Sequence, residues 1–192
     1  MTDDARTSVP ATVPPPRPTD DAVEPDTKDW TWVLDRPCPE CGFVAGDTDP
    51  ADVGDAVRAM TPRWRSALAR PDAAVRPAPG VWSALEYGAH VRDVHRIFLV
   101  RLRSMLDGDD PLFENWDQDA AAIADRYGEQ DPAVVADELA EAAGAFADAL
   151  DRVAADQWER PGRRSNGSVF TVRTLVRYGL HDVVHHLHDV AA

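Results

Sequence analysis

VRTLVRYGLHDVVHHLHDV, residues 172–190, decides how this chain folds. Val172, Leu175, Val176, Leu180, Val183, Val184 and Leu187 recur at spacings of three and four, the period of a helix that buries one face. The same period appears upstream. Val53, Val57, Met60, Trp64 and Leu68 mark a helix from about Pro50 to Ala69. Ser83 and Glu86 form a capping box, in which each side chain satisfies a backbone donor of the first turn. They open a second helix that runs to about Leu106, with Val91, Val94, Phe98, Leu102 and Met105 on one stripe. A short helix covers Gln118 to Tyr127. A third long helix begins at Asp131-Pro132, with proline in the first turn, and is expected to reach about Ala155. WERPGRRSNGS reads as a loop before the final helix. Four long amphipathic helices without an alternating strand pattern predict an all-α four-helix bundle.

The bundle spans residues 49–192. Residues 1–27 are rich in Pro, Thr and Asp and nearly free of aromatics, so they bury too little to offset the entropy of ordering and read as a disordered tail. Residues 28–48 differ. Trp30, Trp32, Leu34 and Phe43 are too apolar to leave in water, and Pro37 and Pro39 forbid a helix between them. This segment is expected to lie against the bundle as an extended strap.

The chain has 34 acidic and 20 basic side chains, a net charge of −14. Nucleic acid is bound through clustered Lys and Arg, so nucleic acid and anionic membranes are poor partners. No run approaches the roughly 18 apolar residues of a membrane span, and the acidic, proline-rich start lacks the apolar core of a secretory signal. A cytoplasmic location is the expectation. Lys28 is the single lysine, which suits a GC-rich genome.

All six histidines fall in two helices: His90 and His95 in the second, and His181, His185, His186 and His188 in the last. His181 and His185 are one turn apart on one helix face. Two imidazoles alone make a weak open site, and His90, at the edge of its own apolar stripe, is the candidate third ligand. Neutral imidazoles suit zinc, nickel, copper and iron, and three protein ligands leave a position for water or substrate. Two plainer roles compete with metal binding. A histidine on an apolar face is often a satisfied core residue, and four histidines within eight residues can be a solvated patch.

Arg76 to Leu102, RPAPGVWSALEYGAHVRDVHRIFLVRL, resembles the second-helix signature of the DinB-like metal-binding bundles, with Trp82, Ser83, Glu86 and His90 in its characteristic places. YGLHDVVHHLHDV, Tyr178 to Val190, resembles the last-helix HxxxHxxH of the same superfamily, matched by His181, His185 and His188. The resemblance covers roughly Asp49 to Ala192. It implies a four-helix bundle, often a homodimer, holding a divalent transition metal, zinc or nickel first, on His90, His181 and His185. His188 matches a recurrent position that is seldom a ligand, and His186 has no assigned counterpart. The superfamily includes mycothiol-dependent maleylpyruvate isomerases and related S-transferases of actinobacteria. The isomerase branch carries glutamate at the position matched here by His181, which places this chain nearer the three-histidine branch.

The implied chemistry is an ion that holds a small thiol, mycothiol or a similar one, as its thiolate for attack on an electrophilic substrate, or that activates water. Glu86, Asp93 and Asp182 could orient an imidazole or move a proton, although the capping box already accounts for Glu86. Arg163, Arg164, Ser165 and Asn166 could receive a carboxylate or form an ordinary polar loop. A non-catalytic metal- or ligand-binding stress-response bundle is the competing function. Cys38 and Cys41, spaced as CxxC, admit three readings: half of a zinc site lacking two ligands, a redox pair, or a tight turn whose thiols are incidental.

Overall fold

The computed structural model describes Val23 and residues 28–192; the expected tail, residues 1–27, lies almost wholly outside them. Five α-helices form the described body: α1 (Val53–Leu68), α2 (Ala84–Asp107), α3 (Gln118–Ala124), α4 (Pro132–Leu150) and α5 (Val172–Asp189). The four long ones make the bundle. α2 packs on α4 and α5, and α1 packs on α4 and α5. None among the described residues is long and apolar enough to cross a membrane.

Local chemistry sets most of the boundaries. The Ser83 hydroxyl accepts the Glu86 N–H at 3.2 Å, and a Glu86 carboxylate oxygen accepts the Ser83 N–H at 2.8 Å, so the expected capping box opens α2. Asp131 caps α4 by accepting from the N–H groups of Ala133 and Val134, with Pro132 in the first turn. Thr171 and Thr174 cap α5 reciprocally. α4 stops at Leu150, short of the expected Ala155. Beyond it the Gln157 side chain takes the Ala154 N–H, and the chain turns away.

The α2 stripe Val94, Phe98, Leu102 and Met105 meets Phe146 and Leu150 of α4 and Leu175, Val176 and Leu180 of α5 in the main core. α2 and α5 approach closely because α5 presents Gly179 to α2. A Cβ there would stand 2.6 Å from Phe98 Cδ1. This approach brings the two histidine-bearing helices within side-chain reach of each other.

Two expectations differ from what is observed. The segment read as a loop before α5 forms part of a small three-stranded sheet, in which β1 (Leu112–Phe113) pairs in parallel with β2 (Pro161–Arg164), and β2 pairs antiparallel with β3 (Val169–Thr171). The hairpin turns through Asn166-Gly167, with Gly167 at φ +99°, a dipeptide suited to such turns. The aromatic strap is not simply extended. Trp30–Leu34 is a 3-10 helix, and a knuckle follows at Cys38–Phe43, where the Cys38 N–H donates to the Phe43 carbonyl and the Gly42 N–H to the Cys38 carbonyl, both at 2.9 Å. Val33 and Cys38 are buried, and Phe43 and Ala45 join the core that α5 lines.

Candidate metal centre

α5 carries two pairs of donor residues in adjacent registers, His181 with His185, and Asp182 with His186. Neighbouring residues on a helix are rotated by about 100°, so the two pairs look in different directions. α2 lies on the side of Asp182 and His186, and the aromatic segment lies on the side of His181 and His185.

The expected trio His90, His181 and His185 is therefore divided. His90 meets Asp182 and His186, with one donor atom from each residue within 4.8 Å of the others. His181 and His185 form a second group with Cys38 and Cys41, defined by the same separation. Periodicity placed His181 and His185 on one helix face and could not say which α5 register α2 would face. His186, left unassigned in the sequence, is the residue missed; its one-turn spacing from Asp182 was the available signal.

In the first group, His90 Nε2 lies 3.2 Å and His186 Nε2 3.5 Å from the same Asp182 Oδ1. His186 Nδ1 lies 2.8 Å from Asp189 Oδ2. A carboxylate accepting from Nδ1 is the arrangement that commonly orients metal-ligating histidines. His90 is wholly buried, and its Nδ1 has no hydrogen-bond partner among the described residues. Trp116 stacks on the His90 ring at 5.2 Å between centroids, and Tyr87 lies 4.8 Å from that of His186. Burial alone would raise the Asp182 carboxyl, but the facing imidazoles of His90, His186 and His181 hold it below the ordinary range. Two imidazoles and a carboxylate form a nitrogen and oxygen donor set suited to a divalent transition metal.

In the second group, burial and the neighbouring His185 push His181 down to about 4, and burial also lowers His185. Both are neutral at pH 7, with lone pairs available. Burial raises the Cys41 thiol to about 11.

The other candidates fall outside both groups. Glu86 is held by the capping box and by Arg76, whose Nε lies 3.0 Å from its Oε2. Asp93 accepts from Tyr127 at 2.6 Å and pairs with Arg92 and Arg96. His188 is exposed. His95 is a core histidine, its Nδ1 2.8 Å from the Val91 carbonyl.

A cleft of about 360 Å³ is walled by Trp30, Trp116, Tyr178 and Arg164; Trp116 is the ring stacked on His90, and Trp30 the one against His181 and His185. A recess of about 50 Å³ behind Trp30 and Tyr178 is lined by Asp182 and His186 of the first group and by His181 and His185 of the second. Arg164, buried at the hairpin, donates to Asn166 Oδ1 and Ser168 Oγ, each at 2.9 Å. Of the expected carboxylate-binding residues, Arg164 and Asn166 line the cleft; Arg163 pairs with Asp110 outside it, and the Ser165 hydroxyl accepts the Asn115 N–H.

A helical bundle whose facing helices bring imidazole and carboxylate donors together defines a class of bundle proteins with a candidate metal centre between helices. The chain belongs to the DinB superfamily, whose family model matches residues 55–190. Among solved structures, YfiT from Bacillus subtilis superposes with a TM-score of 0.64 at 17% identity, over 72% of this chain and 82% of that one. It is described as "a probable metal-dependent hydrolase with an unusual four-helix bundle topology", and the likeness shows the shared fold. No curated protein matches the chain.

Proposed function

We propose that this protein is a metal-dependent enzyme of the thiol S-transfer type, with His90, Asp182 and His186 as its working centre. The observation that carries this reading is the convergence of two imidazole nitrogens on one carboxylate oxygen beside an open cleft. Three protein donors match an open site rather than a closed structural one.

A divalent ion bound there would supply the positive charge that keeps a small thiol deprotonated near neutral pH. The chain's own residues do the rest. Asp189 fixes the His186 tautomer through Nδ1. Trp116, stacked on His90, shields that imidazole from bulk water. The cleft wall carries the positive charges of Arg164 and Lys28 and the carboxylates of Asp29, Asp117 and Asp119, so it offers both signs to a polar thiol or substrate. Burial raises the Tyr178 phenol, so its O–H stays protonated and can donate to a bound carbonyl. The family resemblance points to His181 and His185; the contacts made by α2 support the neighbouring register, Asp182 and His186. The thiol-dependent isomerase branch has a carboxylate among its last-helix donors, and Asp182 supplies one in the register that α2 faces.

Water activation at the same three residues is the second reading, favoured by the open donor set and by the description given to YfiT. Incubating the zinc- or nickel-loaded protein with mycothiol or a related thiol and chlorodinitrobenzene tests the first. The expected result is thioether formation that His186→Ala abolishes. An ester hydrolysed without thiol consumption would replace S-transfer with hydrolysis. Inertness of the loaded protein towards every thiol and ester would leave the non-catalytic binding function in its place.

A further inference from the structure

The second donor group has no part in the proposed reaction, and it differs in kind from the first. We infer that Cys38, Cys41, His181 and His185 bind one zinc ion as a closed, four-ligand structural site that fastens the aromatic segment to α5.

The donors are two thiols and two imidazoles, a set used by structural zinc sites, and each pair has the spacing such sites use, C-x2-C and H-x3-H. Four donor atoms, one from each residue, lie within 4.8 Å of one another. Zinc bonds of about 2.3 Å to sulfur and about 2.0–2.1 Å to nitrogen, held at the tetrahedral angle, set a sulfur–nitrogen edge of about 3.5–3.6 Å. Cys38 Sγ and His185 Nδ1 are 3.6 Å apart. The other nitrogen of His185, Nε2, lies 3.5 Å from a carboxylate oxygen of Glu40, inside the CxxC loop. That places a carboxylate behind the imidazole, the usual support for a zinc-bound histidine.

His181 is 3% exposed, and its Nε2 has no hydrogen-bond partner among the described residues. A buried nitrogen without a partner is costly unless something else takes its lone pair. The cysteine loop is shaped for the task as well. Gly42, at φ +74°, reverses the chain in the left-handed region. The Phe43 backbone N–H then reaches the Cys41 sulfur. Cys38 is 2% exposed, which removes it from service as a nucleophile or a redox partner for external thiols.

The site also has a place in the larger design. Trp30 sits with its ring centroid 5.8 Å from that of His181 and 5.1 Å from that of His185, and it walls the cleft. A clamp on these ligands fixes one wall of the proposed active site without touching its chemistry.

Cobalt substitution of the full chain tests the clamp separately from the open centre. The cobalt-loaded protein should show a thiolate-to-cobalt charge-transfer band and tetrahedral visible bands. Cys38→Ser and Cys41→Ser should lose both and one zinc per chain, whereas Asp182→Asn should keep them. Because a cysteine variant could fail to fold, the wild-type protein carries a second readout. Cys41, the partly exposed thiol, should resist alkylation until a chelator removes the zinc, with a fall in melting temperature at the same step. Absence of the charge-transfer band, equal alkylation with and without chelator, or a Cys38–Cys41 disulfide in the purified protein would each overturn the assignment.

Discussion

Asp182 is the residue on which the first centre turns. It is the carboxylate that two imidazoles face, and its replacement by asparagine keeps the shape while removing the charge. Changes of this kind around metal sites cost about 10–100-fold in affinity or activity, and Asp182→Asn should weaken binding at the open centre by at least that much, measured by competition with a chromogenic chelator. Glu86 offers a second test, of stability alone. Burial opposes its charge, but Arg76 and the Ser83 N–H and hydroxyl outweigh it, so the folded carboxyl lies below its ordinary 4.5. The folded state thus keeps its negative charge to lower pH than the unfolded chain does. The contribution is complete above pH 4.5 and fades as pH falls through the folded value. Glu86→Gln should cost about 1–2 kcal/mol near neutral pH, the scale of a lost cap, and the gap to wild type in urea denaturation should narrow below that range. His90, His181 and His185 were legible as donor residues in the sequence, and so was the pairing of the last two; that His90 faces Asp182 and His186, and that Cys38 and Cys41 face the pair, was not. One residue of register separates His181 from Asp182 and His185 from His186, and only the packing of α2 and the aromatic segment on α5 decides which pair serves which group.

The helices were legible because their signals are local. Capping at Ser83, Asp131 and Thr171 and the three-four apolar spacing act within a turn or two of each boundary. The hairpin at Asn166-Gly167 was overlooked because its strands are three and four residues long and lack the apolar alternation of a strand: Val169 is exposed and Arg164 buried. The cysteine group was hidden by distance, since Cys38 and His185 are 147 positions apart and no short-range motif joins them. Contact between α2 and α5 rests on Gly179. Alanine would gain about 1 kcal/mol of helix propensity there yet put a methyl group 2.6 Å from the Phe98 ring. Gly179→Ala should therefore destabilise the fold by about 1–3 kcal/mol, the usual cost of overpacking. Pairing it with Phe98→Leu should recover part of the loss. Additive effects of the two changes would contradict the close approach.

At the scale of the molecule, one helix serves two purposes through adjacent faces. The side of α5 towards α2 builds an open donor set at the foot of a cleft, and the side towards the aromatic segment builds a closed one. The net charge is −14, and the cleft wall shares in it: Asp29, Asp117 and Asp119 stand there beside Lys28 and Arg164. Crystals of the zinc-loaded protein, with diffraction recorded on either side of the zinc absorption edge, put the central claim to its most direct test. The account predicts an anomalous peak bounded by His90, Asp182 and His186. A peak held instead by His90, His181 and His185, or no density beside Asp182, would contradict it.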